Sequence, residues 1–263
     1  MKSFLALLAY IQAAAVPVTH VRIPAEDGTV LDAALVQPIG AERGAAVVAL
    51  HGCGGPFARR DGSWAVTLAK AGHAVLLPDS FGSRGLGSQC RNPNREVTPS
   101  GKRRHDAIAA AEWLSAQPGL APDGIALMGW SNGGTTVLAT ARTVADLPPG
   151  LFRRFVAFYP GCATRARDRR WAPSAPMLLL VGEADDWTPA SPCRDLAARF
   201  PDRITLQVYP GAYHDFDAPD DPIRVRRGLA TPPSGTGRAH TGTNQAARED
   251  ALRRVPAFLV GAD

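Results

Sequence analysis

The sequence predicts an α/β fold built on a mostly parallel sheet of eight strands. Short β-branched apolar runs alternate with helical stretches, and several of the runs lead directly into glycine, proline or histidine. The first two runs flank a Glu-Asp-Gly turn and are expected to pair antiparallel, whereas the last six alternate with helices. We expect strands at 19–23, 30–37, 45–50, 74–77, 125–128, 155–159, 177–181 and 204–209, and helices at 64–71, 102–117, 133–145, 191–200 and 244–259.

The composition is that of a globular chain. Its 263 residues are 45% hydrophobic and 20% charged, and its 26 glycines and 23 prolines follow no period, which excludes disordered, collagen-like and repeat architectures. The net charge of +5 comes from short arginine clusters rather than from a helix with interleaved aromatic residues, so we expect no nucleic-acid partner. Such clusters are compatible with anionic substrates or surfaces.

The N-terminus has the pattern of an export signal. Lys2 supplies one positive charge, residues 4–11 form a short apolar run, and residues 13–15 are alanines suited to a cleavage site. We expect residues 1–15 to be a signal peptide and residues 16–263 to be one domain, periplasmic or secreted. The alternative is a first helix of the mature protein and a cytoplasmic location. No later segment reaches the roughly 18 apolar residues that a membrane span needs.

The most specific motif follows the fifth predicted strand. Residues 129–133 read Gly-Trp-Ser-Asn-Gly, which satisfies G-x-S-x-G between a strand and a helical stretch. In that context the serine lies on a strained turn, the two glycines leave room for it, and the following helix favours negative charge beside it. The motif predicts that Ser131 is a catalytic nucleophile.

A serine nucleophile at neutral pH needs a base that is held by an acid. Asp185 follows the seventh predicted strand and His214 follows the eighth, which gives the order Ser, Asp, His along the chain. We expect His214 to take and return the proton and Asp185 to orient the imidazole and stabilise its charged form. Asp186 is the alternative acid, and His240, in a long loop, is the one other histidine placed to reach the site.

The loop after the third strand predicts an oxyanion hole. It reads His-Gly-Cys-Gly-Gly from His51, at the place where such folds present backbone N–H groups to a developing oxyanion. We assign the hole to the N–H groups of Cys53 and Asn132. His51 is expected to be structural.

Several segments together make the chain resemble the α/β-hydrolase superfamily and, within it, the dienelactone hydrolase family. The segments are HGCGG at 51–55, LPDSFGSRG at 77–85, the motif at 129–133, GEADDWTP at 182–189 and YPGAYHDF at 209–216. The resemblance implies an eight-stranded, mostly parallel sheet with helices on both faces, and ester hydrolysis. Dienelactone hydrolases proper use a cysteine nucleophile where this chain has Ser131, so the resemblance does not imply a dienelactone substrate.

The four cysteines allow three pairings, and an exported chain would keep them oxidised. In the strand order of the superfamily, the strands before Cys53 and Cys90 are neighbours, as are those before Cys162 and Cys193. The resemblance therefore implies the disulfides Cys53–Cys90 and Cys162–Cys193 at the catalytic edge. The alternative is four buried thiols. The chain has no C-x-x-C or paired-histidine spacing, so we expect no metal.

Five side chains are candidates for a substrate pocket. Ser80, Phe81 and Arg84 follow the fourth strand, while Trp130 and Trp187 flank the catalytic turns. The aromatic rings would hold part of an ester by burial, and Arg84 would bind a carboxylate. The alternatives are ordinary packing for the aromatic residues and a surface position for Arg84.

These observations predict a serine hydrolase that needs no cofactor and acts on a small-molecule or polymeric ester. A serine peptidase or amidase is the alternative, because the same triad serves both leaving groups. A non-catalytic binding module on this scaffold is less well supported, since no member of the triad is missing. Two loops, 79–101 and 212–243, are longer than connectors need and are expected to be functional or disordered.

Overall fold

The computed structural model describes residues 2–39, 44–121, 123–142, 147–232 and 234–261. Its strands are β1 (Val18–Pro24), β2 (Val30–Val36), β3 (Ala46–Leu50), β4 (Val75–Pro78), β5 (Ile125–Trp130), β6 (Phe152–Phe158), β7 (Met177–Gly182), β8 (Ile204–Tyr209), β9 (Arg224–Arg227) and β10 (Arg238–Thr241). Its helices are α1 (Lys2–Ala13), α2 (Ala58–Lys70), α3 (Lys102–Ser115), α4 (Asn132–Thr140), α5 (Ala163–Arg167), α6 (Ser191–Arg199) and α7 (Gln245–Val260).

Strands β1 to β8 form one sheet in the order β1-β2-β4-β3-β5-β6-β7-β8. Strand β2 pairs antiparallel with β1 and with β4, and every other neighbouring pair is parallel. The predicted mostly parallel eight-stranded sheet is therefore confirmed. The carboxyl ends of β3 to β8 meet at one edge, which is where open parallel sheets bind ligands.

Helices cover both faces of the sheet. Successive residues of a strand point to opposite faces, so in β5 Leu127 belongs to one apolar cluster and Met128 to the other. Helices α3, α4 and α6 bury apolar side chains in the first cluster, and α1, α2 and α7 do so in the second. Because helices pack on both faces of the sheet, successive residues of the inner strands are buried on both sides.

Helix α2 starts earlier than the sequence predicts, and the cause is visible in the structure. Helix α2 begins at Ala58, whereas the sequence predicted a start at residue 64. The prediction missed the first turns because it relied on apolar periodicity, and the residues buried there include the charged Arg60 and Asp61. Asp61 also accepts a hydrogen bond from the N–H of Phe57 at 2.8 Å, which stabilises the first turn. Helix α4 ends at Thr140, and residues 143–145 of the predicted helix lie outside the described residues.

The predicted leader forms helix α1. Its Phe4, Leu7 and Ile11 are buried in the cluster that includes α2, where Gly62 leaves space for the ring of Tyr10. Cleavage after residue 15 stays a prediction. Within the described ranges, no helix combines the length and the apolar character that crossing a membrane requires.

The loops at the catalytic edge are ordered by cross-links and by a hairpin. The disulfides Cys53–Cys90 and Cys162–Cys193 are both present, with the expected pairing. The second long loop contains the antiparallel hairpin β9–β10, which the sequence did not predict because four of its eight residues are arginines.

Candidate active site

Ser131 lies on a sharp turn between β5 and α4. Its backbone has φ 54° and ψ −113°, a left-handed conformation that costs energy for a residue with a side chain. A Cβ at Gly133 would lie 2.1 Å from the carbonyl oxygen of Leu50, and one at Gly129 would lie 2.6 Å from the carbonyl carbon of Gly133. Only glycine fits at these two positions, so the motif is required by the packing of the turn.

Ser131, His214 and Asp185 form a continuous hydrogen-bonded chain. The distance from His214 Nε2 to Ser131 Oγ is 2.8 Å, and the distance from His214 Nδ1 to Asp185 Oδ2 is also 2.8 Å. All three residues are buried, and Ser131 is the most accessible, at 8%. The structure thus brings together the three residues that the sequence proposed as a triad.

Backbone and side-chain donors hold Asp185 in place. Its Oδ1 accepts hydrogen bonds from the N–H groups of Trp187 and Thr188 at 2.8 and 2.9 Å, and Thr188 Oγ1 lies 2.9 Å from Oδ2. Asp186 points elsewhere and pairs with His240, whose Nδ1 lies 2.8 Å from Asp186 Oδ2. The bond from the N–H of Trp187, two residues after Asp185, is that of an Asx turn. Thr188 was not among the residues that the sequence singled out.

The environment of His214 favours its charged form. Burial by itself would lower the pKa of the imidazole, but the charge of Asp185 and its hydrogen bond outweigh burial, and the net effect is a raised pKa. Such a histidine is a stronger base toward the hydroxyl of Ser131.

A buried ion cluster lies beside the triad. Arg60 is 3% exposed and contacts Asp61 and Asp215, each at 2.8 Å. Burial would raise the pKa of the Asp215 carboxyl, but Arg60 outweighs burial and the pKa falls, so Asp215 stays ionised next to His214. Sequence reasoning missed this cluster because its members are separated by up to 155 residues.

Asp217 connects this cluster to the aromatic residues behind the site. It accepts hydrogen bonds from Trp64 Nε1, Trp130 Nε1 and Tyr159 Oη at 2.7, 2.8 and 2.6 Å. The ring of Tyr159 lies 4.5 Å from that of His214, centroid to centroid. The polar tips of these large side chains are therefore satisfied where their rings support the catalytic turns.

The loop after β3 is anchored to the turn of Ser131 by a buried arginine. Arg103 donates to the carbonyl oxygen of His51 at 2.7 Å and to Asn132 Oδ1 at 2.6 Å. Burial, followed by the charge of Arg103, holds the pKa of His51 well below its ordinary value, so this ring is neutral. Its Nδ1–H donates to the Gly52 carbonyl and its Nε2 accepts from the N–H of Ser80, as expected for a structural histidine.

Two cavities meet at Ser131. The first, of about 290 Å³, is also lined by His214, Asp215, Arg60 and Arg226, and we call it the histidine-side cavity. The second, of about 340 Å³, is also lined by Asn132, Thr135, Cys162, Thr188 and Arg95, and we call it the helix-side cavity. Cys53 and Trp187 line both. A substrate with a group on each side of a scissile bond would fit this arrangement.

Of the five pocket candidates, Trp187 lies at the cavities. Neither Ser80 nor Phe81 is among the described lining residues, since both are buried below the loop. The ring of Phe81 packs edge-on against that of His51, with the centroids 4.8 Å apart.

Arg84 and Trp130 also lie away from the two cavities, as far as the described lining shows. Arg84 forms ion pairs with Asp106 at 2.8 Å and Asp27 at 3.0 Å, so its guanidinium is already occupied. Trp130 is fully buried and bonded to Asp217. In the described part of the chain no cluster of three or more His, Cys, Asp or Glu side chains is arranged to hold a metal ion.

The sheet order, the helices on both faces and the serine on the strand-to-helix turn define an α/β-hydrolase fold. Solved structures share it. A putative dienelactone hydrolase from Klebsiella pneumoniae subsp. pneumoniae MGH 78578 matches with a TM-score of 0.69 at 17% identity, covering 94% of this chain and 99% of that one. Esterase 2 of Thermogutta terrifontis, phosphoramylated by tabun, matches with a TM-score of 0.66 at 18% identity, covering 93% and 94%.

Sequence comparison assigns the chain to a narrower group of proteins than the fold does. The model of the dienelactone hydrolase family matches residues 31–261, and the chain belongs to this family. Uncharacterized proteins from two strains of Mycobacterium tuberculosis are 30% identical to it over 189 residues, which cover 65% of this chain. The match spans 63% of the length of those relatives.

Proposed function

We propose that the protein is a serine hydrolase that cleaves carboxylic esters through an acyl-enzyme. The observation that supports this most directly is the chain of two 2.8 Å hydrogen bonds from Asp185 through His214 to Ser131. Membership of the dienelactone hydrolase family is consistent with this activity.

In the proposed reaction, Ser131 Oγ attacks the ester carbonyl carbon while His214 Nε2 takes its proton. Asp185 holds the imidazole by Nδ1 and stabilises the imidazolium. The tetrahedral intermediate then collapses, and His214 returns the proton to the departing alcohol oxygen. A water molecule, deprotonated by the same imidazole, then attacks the acyl carbon. The bond to Ser131 Oγ breaks, His214 returns the proton to that oxygen, and the carboxylic acid leaves.

The backbone N–H groups of Cys53 and Asn132 would stabilise the oxyanion. Asn132 is the first residue of α4, so its N–H has no partner within the helix and lies at the positive end of the helix dipole. Arg103, held by His51 and Asn132, adds a buried positive charge near the same place. Removing one such donor costs on the order of 10²–10³ in kcat in other serine hydrolases.

Hydrolysis of a graded series of p-nitrophenyl esters by wild type and Ser131→Ala tests the proposal. We expect turnover by the wild type, a covalent fluorophosphonate adduct by intact mass, and loss of both in the variant. Ser115→Ala, at an exposed end of α3, is the matched control and should retain both. A wild type with neither turnover nor labelling would favour a non-catalytic binding module.

Matching p-nitroanilides distinguish an esterase from the amidase or peptidase alternative. We expect the anilides to react far more slowly than the esters. Anilide rates equal to or above the ester rates would assign the chain to the second class.

We further propose that residues 1–15 are an export signal and that residues 16–263 are the mature domain, periplasmic or secreted. The two disulfides fit an oxidising compartment outside the cytoplasm. Intact-mass analysis of cell fractions tests this: we expect the periplasmic or secreted fraction to contain protein starting near Val16. Uncleaved protein in the cytoplasm would contradict it and would fit the burial of Phe4, Leu7 and Ile11.

A further inference from the structure

The side chain of Asn132 has no part in the proposed reaction so far. The backbone N–H of this residue belongs to the proposed oxyanion hole, and the residue also lines the helix-side cavity next to Ser131. Asn132 is only 8% exposed. Because an enclosed polar group is costly without hydrogen-bond partners, each end of its amide needs a partner.

Arg103 fixes the orientation of this amide. The guanidinium is fully buried, and its Nη1 donates to Asn132 Oδ1 at 2.6 Å. A guanidinium has N–H donors and no acceptor, so the oxygen of the amide must face it and the nitrogen cannot. Its Nη2 donates to the carbonyl oxygen of His51 at 2.7 Å, which holds the guanidinium in place. The NH₂ group of Asn132 therefore points away from Arg103.

The amide nitrogen of Asn132 is left without a partner. Nδ2 makes no hydrogen bond with any described residue, yet it is not one of the fully enclosed polar atoms that lack a partner. It therefore keeps accessible surface. Because Asn132 lines the helix-side cavity, this surface faces that cavity and offers a donor to whatever fills it.

Two neighbouring hydroxyls of the same cavity are already engaged. Thr135 Oγ1 donates to the carbonyl oxygen of Ser131 at 3.0 Å, and Thr188 Oγ1 donates to Asp185 Oδ2 at 2.9 Å. A hydroxyl has one hydrogen to donate, so neither threonine has a further donor for a substrate. Of these three polar side chains, Asn132 is the one with a donor to spare.

The position of His214 decides which half of an ester reaches this donor. The leaving alcohol oxygen has to receive its proton from His214 Nε2, and His214 lines the histidine-side cavity. The acyl group then extends the other way, into the helix-side cavity beside Asn132. This direction rests on the proposed esterase function.

Covalent geometry limits where an acceptor can lie on the acyl group. The backbone nitrogen and Nδ2 of one asparagine are four bonds apart, which keeps them within about 5 Å of each other. The backbone N–H of Asn132 would hold the carbonyl oxygen of the ester. An oxygen on carbon 2 of the acyl group is three bonds from that carbonyl oxygen, so one asparagine can bind both.

We propose that the side-chain amide of Asn132 donates a hydrogen bond to an oxygen on carbon 2 of the acyl group, so that the preferred substrates are esters of 2-alkoxy or 2-hydroxy acids. Such an oxygen supplies the acceptor that Nδ2 lacks. A methylene group at the same position would shield the amide from water and leave it unpaired, which disfavours the simple alkanoate ester.

The test compares 4-nitrophenyl methoxyacetate with 4-nitrophenyl butanoate, which has a methylene group in place of the ether oxygen. The variants are Asn132→Asp, which keeps an acceptor for Arg103 but removes the donor, and Asn132→Leu, which removes both. Asn94→Asp is the matched control and makes the same exchange at an exposed position. Rates with Ser131→Ala are subtracted as background.

The measured quantity is the ratio of kcat/KM for methoxyacetate to that for butanoate. The change in this ratio between variants cancels the intrinsic reactivity of the two esters. It also cancels any damage to the oxyanion hole, because the backbone N–H at residue 132 is present in every variant and serves both esters. A second pair, 3-methoxypropanoate and pentanoate, places the ether oxygen on carbon 3.

We expect Asn132→Asp and Asn132→Leu each to lower the methoxyacetate ratio about three- to tenfold, and to lower the 3-methoxypropanoate ratio less. Asn94→Asp should leave both ratios unchanged. Unchanged ratios in the two Asn132 variants, equal falls for the two ether positions, or an equal fall in Asn94→Asp would each overturn the proposal, while butanoate hydrolysis by the wild type upholds the esterase.

Nitrogen-15 NMR separates this donor from the proposed activity. The side-chain amide signal of Asn132 in Ser131→Ala is identified by its absence from the double variant with Asn132→Asp. Titration with methyl methoxyacetate should shift this signal, and titration with methyl butanoate should shift it less. Such a shift without ester turnover by the wild type would reject the esterase and retain the donor. Equal shifts with the two esters would reject the donor.

Discussion

The protonation of His214 controls the proposed chemistry at the scale of single residues. The imidazole accepts a proton from Ser131 only when it is neutral, and its pKa is raised above the ordinary 6.5 because Asp185 outweighs burial. We therefore expect kcat/KM for a neutral ester to be constant at high pH and to fall as pH drops through a midpoint above 6.5. A pH–rate profile checks this, and a midpoint at or below 6.5 would contradict it.

The two adjacent aspartates provide a matched pair of substitutions. Asp185 contacts the ring of His214, whereas Asp186 pairs with His240. Asp185→Asn should lower kcat by about 10³–10⁴, because the amide no longer stabilises the imidazolium or the correct tautomer. Asp186→Asn should change kcat by less than about threefold, since no group of the triad bonds to it. Equal losses in the two variants would contradict these roles.

The turn between β5 and α4 sets the position of the nucleophile at the scale of elements. A methyl group at residue 133 would meet the Leu50 carbonyl oxygen at 2.1 Å, so β3 and α4 would have to separate. We expect Gly133→Ala to lower the free energy of unfolding by about 3 kcal/mol and to reduce ester turnover. Gly87→Ala is the control, because its Cβ would meet nothing within 4 Å. Urea denaturation measures both, and a neutral Gly133→Ala would refute the packing argument.

The elements themselves were predictable to different degrees. Strand β5 was found within two residues at each end, because a strand covered on both faces is a continuous apolar run between turn residues. The half-exposed edge strand β8 was also found, because its apolar residues alternate with Thr205 and Gln207. The start of α2 and the hairpin β9–β10 were not found. Both are rich in arginine, and their polar pattern is stabilised by contacts with residues far away in the chain, such as the pair Arg60–Asp215.

The two disulfides act at the scale of the whole molecule. Their sequence separations are 37 and 31 residues, for which loop-closure entropy predicts about 4 kcal/mol of stability each. Replacing either pair of cysteines by serine should lower the thermal midpoint, and the decrease should be similar for the two pairs. Replacing Cys53 and Cys90 should also lower kcat, because this bond holds the loop that carries the Cys53 N–H. Thermal scans with ester kinetics test the difference, and equal kcat losses for the two pairs would contradict it.

The sequence by itself determined the α/β-hydrolase fold, the turn of Ser131, the order of the three candidate catalytic residues and the cysteine pairs that the family resemblance implied. These properties depend on local patterns and on strand order, which a single chain displays directly. The tertiary structure decided which of two neighbouring aspartates contacts His214, and it placed Arg84 in an ion pair and Arg95 at the cavity. Both arginines follow the same strand, and their partners are residues that folding brings together, so burial and contact distinguish them where residue type does not.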